Sequence, residues 1–254
     1  MSWRYAQRMR AMRAEPVEPP AFAWSCGDEG ELCLEVNGTP VRMRPSGALF
    51  VEGARALIAG DLHLEKGSSY GVRGQLLPPY DTRATLDRLL LEAEVTEAEM
   101  IVLLGDTFHD RKAQLRLDSD DAERIHALAL GRRLVWVTGN HDPEPPVDLP
   151  GEAAGTAVLF GLTLTHEPEP GPQKGEVSGH LYPCARVLGR SGSVRKRCFL
   201  TDGERIVLPA FGAYAGGLNA RDRAFAGLFG GPVLAGVLGS EKVHAVGPGS
   251  LIPD

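Results

Sequence analysis

Three apolar runs between residues 55 and 142 share one shape. "RALIAGD" (55–61), "MIVLLGD" (100–106) and "RLVWVTGNHD" (133–142) are each apolar for about a strand's length, and each ends in Gly-Asp or Gly-Asn. Unbroken runs of this kind read as strands buried on both faces. Two helical patterns lie between them. "DTRATLDRLLLEAE" (81–94) carries Leu86, Leu89 and Leu90 at helical spacing, with Asp81 placed to cap it. "DSDDAERIHALALG" (118–131) opens on acidic residues, which suit a helix N-terminus, and stops at Gly131. Earlier, "LCLEV", "PVRM" and "ALFVE" read as short strands, with Asn37-Gly38 as a hairpin turn. After residue 155 the texture is strand-rich: "TAVLFGLTLTH", "ARVL", "RCFLTD", "RIVLP", "PVLAGVLG" and "KVHAVG". No internal repeat is visible. The alternation predicts an α/β fold with a parallel or mixed sheet and helices outside it.

Composition narrows the class. With 254 residues, 43% hydrophobic and 24% charged, the chain is neither disordered, collagenous nor a coiled coil, and it is long enough for a sizeable core. Residues 1–20 read as a disordered tail, Arg- and Ala-rich and broken by "EPVEPP", ahead of a single domain over 21–254. Arg4, Arg8, Arg10 and Arg13 precede no apolar segment, so the tail is not a signal peptide. No run approaches a membrane span. Four cysteines without a CxxC pair read as buried, reduced residues, so a cytoplasmic location is expected. The net charge of -6 argues against a generally basic nucleic-acid binder. Contact with a polyanion would need a local patch or bound metal.

The chemistry gathers at the strand ends. "GDLH" (60–63), "GDTFHD" (105–110) and "GNHD" (139–142) are joined by "THEP" (165–168) and "SGHLYP" (178–183), and five of the seven histidines fall in these clusters. The ends of strands in an open α/β sheet are where sites are built. Carboxylate and imidazole are good ligands for Mn²⁺, Fe²⁺ and Zn²⁺. Asp61 and His63 stand two apart at a strand end, Asp106 has two oxygens with which to bridge two cations, and Asn140 offers an amide oxygen. Two such cations can clamp a phosphate ester while a hydroxide held between them attacks phosphorus in line. His141, beside Asn140, could protonate the leaving oxygen.

The order D-x-H, G-D, G-N-H-D, H, G-H over residues 55–185 resembles the calcineurin-like metallophosphoesterase superfamily. "GDLHLEKG", "GDTFHD" and "LPAFGAYAGGLN" (208–219) resemble, within it, the bacterial ligase-associated DNA-damage-response endonucleases, the PdeM group. "GDTFHD" is also similar to the G-D-x-F-H of the Mre11 nuclease branch. The resemblance implies a four-layer α-β-β-α sandwich, two mixed sheets flanked by helices. It implies phosphodiester hydrolysis with two divalent metal ions, usually Mn²⁺, with Fe or Zn as alternatives. It implies Asp61, His63 and Asp106 as ligands of the first metal, Asp106, Asn140, His166 and His180 as ligands of the second, and His141 as the general acid. His109 and Asp110 match the nuclease-type extension and would position His141 or the phosphate, while Asp110 reads equally as a helix cap or a salt-bridge partner. DNA would be the substrate, with functional association to an ATP-dependent DNA ligase, a helicase and an exonuclease.

One position departs from the family pattern. The last motif is usually G-H-x-H, whereas here it is Gly179-His180-Leu181-Tyr182. A phenol with pKa about 10 is a poor ligand for Mn²⁺. Tyr182 therefore either coordinates, or faces the site without coordinating and leaves the first position weak. Two other functions stay open: the same chemistry on a small nucleotide or phosphomonoester, and a scaffold that has lost turnover.

Other features carry two readings each. Glu65 and Lys66 could pair or approach the cavity, and the structural role is favoured. Arg111 and Lys112 read as solvated surface, His126 and His244 as ordinary histidines, and Cys184 as a buried small residue. "SVRKRCF" (193–199) with Arg186 and Arg190 is either a DNA-binding edge or a solvated hairpin. "AFGAYAGGLN" is either a loop with amides free for phosphate or a tight turn. Residues 143–155, rich in Pro and acid, read as an exposed loop.

Overall fold

Strands β5 (Ala56–Ala59), β6 (Met100–Leu104) and β7 (Arg133–Val137) form where the three apolar runs predict them, and they pair in parallel. In this computed structural model, residues 22–75, 77–78, 80–189 and 192–254 are described. The tail expected over 1–20 and Arg190 lie outside them. Side chains of the three strands alternate between two cores. Ile58, Val102, Leu104, Val135 and Val137 face a second sheet, and Leu57, Ile101, Leu103, Leu134 and Trp136 face helices. A parallel strand buried on both faces reads as a continuous apolar run, which is why these were the plainest elements.

The first sheet runs β1 (Trp24–Cys26), β2 (Leu32–Val36), β3 (Thr39–Met43), β4 (Leu49–Val51), β5, β6, β7, β8 (Glu152–Ala154). Its first five strands are antiparallel and the rest parallel. Asn37 and Gly38 both take positive φ, 50° and 76°, as a tight hairpin between β2 and β3 requires. Strand β8 corrects the expectation of a loop over 143–155: the last part of that segment pairs with β7. Its earlier part walls a cavity of about 660 Å³ with Phe108, Arg111 and Leu115.

Three α-helices are described: α1 (Lys66–Val72), α2 (Asp81–Val95) and α3 (Ser119–Ala129). Helix α2 buries Leu86, Leu89 and Ala93, and α3 buries Ile125 and Leu128, all against the first sheet. Each of these Leu and Ile side chains stabilises by about 1.5–3 kcal/mol. Asp118 caps α3 by accepting the Asp121 amide at 2.8 Å. Asp81 does not cap α2. Tyr80 holds the cap position without a side-chain bond, and the Asp81 carboxylate accepts the Gly67 amide at 3.0 Å instead. It ties α2 to α1, because the chain brings the start of α1 within its reach.

The second sheet contains β9 (Ala157–Leu159), β10 (Leu162–Thr165), β11 (Glu176–Ser178), β12 (Pro183–Gly189), β13 (Gly192–Thr201), β14 (Ile206–Val207), β15 (Leu218–Asn219), β16 (Leu234–Leu238) and β17 (Val243–Val246). It is mixed, with β10, β11 and β14 parallel. The two sheets stack face to face, so the fold is α/β with two mixed sheets. Among the described residues no α-helix covers the outer face of the second sheet. Phe225, from a 3-10 turn, with Leu228 and Leu251 from the connecting and C-terminal segments, pack there on Cys198, Leu200, Val207 and Val237. Gly227, Gly230, Gly231 and Pro232 interrupt any helix in that stretch. No helix among the described residues is long and apolar enough to cross a membrane.

Cys184 and Cys198 are buried, but Cys26 is exposed and Cys33 half-buried, which corrects the expectation that all four are buried. All four are unpaired.

Candidate metal centre

Strands β5, β6, β7, β10 and β11 all end at one place. Asp61 and His63 follow β5, Asp106 follows β6, Asn140 and His141 follow β7, His166 follows β10 and His180 follows β11. Main-chain bonds between the loops hold the ends in register: the Asp61 amide donates to the Gly105 carbonyl at 3.1 Å and the His63 amide to the Asp106 carbonyl at 2.9 Å. The Gly179 amide donates to the His166 carbonyl at 3.0 Å. Asp61, His63, Asp106, His180 and Tyr182 all have positive φ, between 46° and 66°. This conformation costs a non-glycine residue roughly 1–2 kcal/mol, and such strain gathers at functional sites.

Two glycines allow the crowding. A Cβ on Gly139 would collide with the Asp106 amide and carboxylate, and one on Gly105, itself at φ 72°, would collide with the His166 ring. Substitution at either would push a donor out of the cluster.

The donors form two overlapping groups. Asp61, His63 and Asp106 offer one atom each within 4.8 Å of one another, and so do Asp106, His166 and His180. Asp106 belongs to both and could bridge two cations. The Asn140 amide oxygen lies 2.9 Å from His166 Nε2, which places it in the second group. His180 Nδ1 lies 3.2 Å from the same nitrogen. His63, His109 and His141 make a third group of the same compactness.

Electrostatics explain why the donor set fits cations. Asp61 is fully buried, its Oδ1 has no hydrogen-bond partner, and only Oδ2 is served, by the His180 amide at 3.0 Å. Burial, with the nearby Asp106 charge, drives the Asp61 carboxyl well above its ordinary range. A charge so placed calls for a cation. Burial opposes ionisation of Asp106 too, but hydrogen bonds from the His166 ring and the His141 amide hold it down at about 2. Burial disfavours the His166 imidazolium, yet Asp106 and Asp61 push it up to about 9. The His166 proton therefore supplies, without metal, part of the positive charge the two carboxylates demand. Burial lowers His63 to about 3, so its imidazole is neutral, the form that ligates.

Tyr182 faces this cluster. Its hydroxyl lies 3.1 Å from His63 Nε2 and donates to Asp106 Oδ2 at 3.3 Å. Burial and the carboxylates of Asp61 and Asp106 hold the phenol far above its ordinary pKa, so it is a neutral donor. The fourth position of the first group is filled by a hydroxyl that keeps its proton.

His141 lies beside both groups, with Nε2 3.9 Å from Asp106 Oδ2. Its Nδ1 is 2.7 Å from the His109 carbonyl oxygen, so the nuclease-type extension reaches His141 through the main chain. The His109 ring stacks on the His141 ring at 5.7 Å. Asp110 is not brought into the cluster. Its carboxylate pairs with Arg116 at 2.8 Å and accepts the Lys112 amide at 2.9 Å. It stiffens the loop after His109.

Several supporting residues escaped the sequence reading. Asp142 accepts the Thr107 amide at 2.8 Å, the Phe108 amide at 3.1 Å and the Gly139 amide at 3.2 Å, joining the second and third motifs. Burial and Asp106 raise its carboxyl to about 6. Its place in "GNHD" was the available signal. Glu65 turns away from the cluster and bonds Thr82 at 2.9 Å and Ser68 at 2.5 Å. The segment 208–219 does not offer its first amides to phosphate. Phe211 donates to the Gly60 carbonyl at 2.9 Å, Gly212 to the Asp61 carbonyl at 3.1 Å, and Ala213 to Thr85 at 3.1 Å. Arg88 and Arg197 bind the carbonyls of this segment, and the Arg88 guanidinium lies 4.2 Å over the Phe211 ring. It is a brace behind Asp61. Behind His180, the Glu176 carboxylate is 2.6 Å from the buried Arg205 guanidinium, which anchors β11.

The sequence profile described as calcineurin-like phosphoesterase matches residues 54–219, more than half of the chain. Among solved structures, the nuclease MPE of Pseudomonas putida superposes with a TM-score of 0.67 at 26% identity, covering 85% of this chain and 100% of that one. The phosphoesterase Yfce of E. coli covers 76% of this chain and 98% of its own, at a TM-score of 0.39 and 18% identity. No curated protein sequence matches significantly. Both cation groups, Asp106 between them and His141 beside them fall inside the matched span, on a scaffold of two stacked sheets. The chain belongs to the calcineurin-like phosphoesterase family and is a hydrolase of phosphoesters.

Proposed function

We propose that this chain is a two-metal phosphodiesterase that cleaves DNA, with residues 21–254 as one catalytic domain. The observation that carries the reading is the pair of donor groups sharing Asp106, with His141 Nε2 turned toward the same carboxylate. Likeness to a nuclease supports a nucleic acid over a small phosphate ester. The ligase-associated repair setting, alongside a DNA ligase, a helicase and an exonuclease, rests on the motif resemblance. Four unpaired cysteines agree with a reducing cytoplasmic setting.

Asp61, His63 and Asp106 would hold one cation, and Asp106, Asn140, His166 and His180 the other. When bound, two divalent cations supply the charge that clamps a phosphate ester and lowers the pKa of water. Mn²⁺ is the favoured ion, with Fe²⁺ and Zn²⁺ matching the same donors. His141 Nδ1 donates to the His109 carbonyl, which fixes the ring and leaves Nε2 facing the cluster. Protonated there, His141 delivers its proton to the leaving oxygen. Asp142 and the strained turns at Asp61, Asp106 and His180 keep the donors in place before substrate arrives.

The test is hydrolysis of bis(4-nitrophenyl) phosphate by metal-stripped protein titrated with Mn²⁺, Fe²⁺ and Zn²⁺. Turnover returns with metal. Asn140→Ala abolishes it, and His141→Ala binds metal normally but loses about 10²- to 10⁴-fold in kcat. A His141→Ala protein at wild-type rate removes His141 from the mechanism, and no turnover with any metal overturns the phosphodiesterase reading.

A further inference from the structure

The basic stretch that the sequence left open between a DNA-binding edge and a solvated hairpin has most of its guanidiniums occupied. In the basic stretch of β13, Arg195 pairs with Asp254 at 3.1 Å and donates to the Gly217 carbonyl at 2.6 Å. Arg197 turns inward to the carbonyls of Ala210 and Gly212, and Arg186 is held by Ser193 and Pro253. These guanidiniums are engaged by the chain itself.

Helix α1 offers the opposite case. Lys66 and Tyr70 stand at i and i+4 on one helix face, and Arg73 follows the last helical residue, three positions on from Tyr70. That face meets His109. The Tyr70 ring lies 6.1 Å from the His109 ring, tilted by 30°. The charges of Lys66 and Arg73 both act on His109, and Lys66 acts on His63 as well. Among the described residues neither cation makes an ion pair; Asp81 is the opposite charge that acts on Lys66 from a distance. Lys66 is half-buried, and that burial lowers its pKa. The His109 ring stacks in turn on His141. Three rings thus run outward from the proposed proton donor to α1, near two cations that form no ion pair among the described residues. This local patch answers how a chain of net charge -6 could hold a polyanion.

Resting on the phosphodiesterase reading, we propose that this face of α1 is the leaving-group subsite for a nucleic-acid strand, where Tyr70 stacks on an unpaired base and Lys66 and Arg73 hold neighbouring phosphates. The side follows from His141: the oxygen it protonates belongs to the departing nucleotide, and the ring ladder leads from His141 to Tyr70. The spacing follows from the helix. Seven residues span about 10 Å along the axis, more than one phosphate group covers, so the pair suits consecutive phosphates of a strand. An aromatic face accepts any base that is free to stack.

The experiment compares kcat/KM on bis(4-nitrophenyl) phosphate and on a 12-residue oligothymidylate, with the Mn²⁺-loaded full chain. Variants are Lys66→Met, Tyr70→Ala, Tyr70→Phe, Arg73→Met and the Lys66→Met/Arg73→Met pair. For Lys66→Met, Tyr70→Ala and Arg73→Met, the loss on the oligonucleotide exceeds the loss on the aryl diester about tenfold, within the range stacking and phosphate contacts carry. Tyr70→Phe restores the oligonucleotide rate. The double variant lowers the slope of log KM against log salt by about 1.4, or 0.7 per phosphate on a single strand. Equal loss on both substrates would make α1 a support for the metal cluster, and an unchanged oligonucleotide rate would remove the subsite. Either result overturns the proposal while wild-type turnover of the aryl diester leaves the phosphodiesterase reading standing.

Discussion

The two donor groups that share Asp106 are built unequally. In the second group, His166 Nε2 has Asn140 Oδ1 at 2.9 Å, His180 Nδ1 at 3.2 Å and Asp106 Oδ1 at 3.4 Å around it. Four potential donors converge there, and the His166 proton sits among them. The first group has Asp61, His63 and Asp106, and a phenol where the family pattern has a further imidazole. Tyr182 bonds Asp106 Oδ2 and approaches His63 Nε2, so it sits in the place of a ligand while holding its proton. One group gathers four potential ligand residues; the other gathers three, with a phenol beside them that donates a hydrogen bond to Asp106. Binding at the two positions should therefore differ in strength, with the Tyr182 side the weaker.

Three measurements would break or sharpen this contrast. The largest effect is expected at the shared residue. Asp106→Asn removes a carboxylate from both groups, and turnover of an aryl diester falls by on the order of 10³-fold or more, with both metals lost by calorimetric titration. Retention of two metals would show that the groups do not depend on Asp106. A middle-sized effect belongs to Tyr182→His. Replacing the phenol by an imidazole raises Mn²⁺ affinity of the weaker site about tenfold and leaves the tighter site unchanged. If affinity of the weaker site falls, Tyr182 is itself a ligand and the contrast disappears.

The smallest effect is on stability. In metal-stripped protein the folded His166 pKa of about 9 exceeds its unfolded value near 6.5. Its proton is bound more tightly in the folded state, so its contribution is fully present below pH 6.5. That contribution, about 1–3 kcal/mol, is lost as pH rises from 6.5 through 9. Thermal melts in chelator over this window should show the wild-type Tm falling, and His166→Gln should lack that component. Equal slopes in the two proteins would mean that His166 is not the proton carrier of the second group.

The sequence made some layers plain and hid others for identifiable reasons. β5, β6 and β7 were legible because strands buried on both faces carry unbroken apolar runs. Asp61, His63, Asp106, Asn140, His141, His166 and His180 stood out because each lies within four residues after a strand end. The geometry brings all seven together, while their catalytic roles rest on the proposal above. Asp110 stayed open between a role at the site and a salt bridge, because its spacing after His109 says nothing of Arg116, which reaches it across a 3-10 turn. Asp81 misled: its position favours a cap, but the Gly67 amide on another helix competes for the carboxylate. The Gly-rich segment 208–219 stayed open between a phosphate loop and a tight turn, and only the fold shows the Phe211 and Gly212 amides taken by Gly60 and Asp61.

What the sequence determined by itself was the material: apolar runs of strand length, turns that stop them, and carboxylates, imidazoles and an amide at those stops. That is local information, set by side-chain period and by the residue types a turn tolerates. The tertiary structure decided everything that depends on distance between remote segments. It stacked the second sheet on the first so that His166 and His180 meet Asp106, placed the Tyr182 hydroxyl between Asp106 and His63, and turned Arg195 and Arg197 to partners within the chain. Among the described residues it also left Lys66, on the face of α1 that meets His109, and Arg73, just past that helix, without an ion pair. These outcomes depend on which buried charges find partners, because an unpaired charge in a low-dielectric interior is costly and the whole fold is needed to supply the partner.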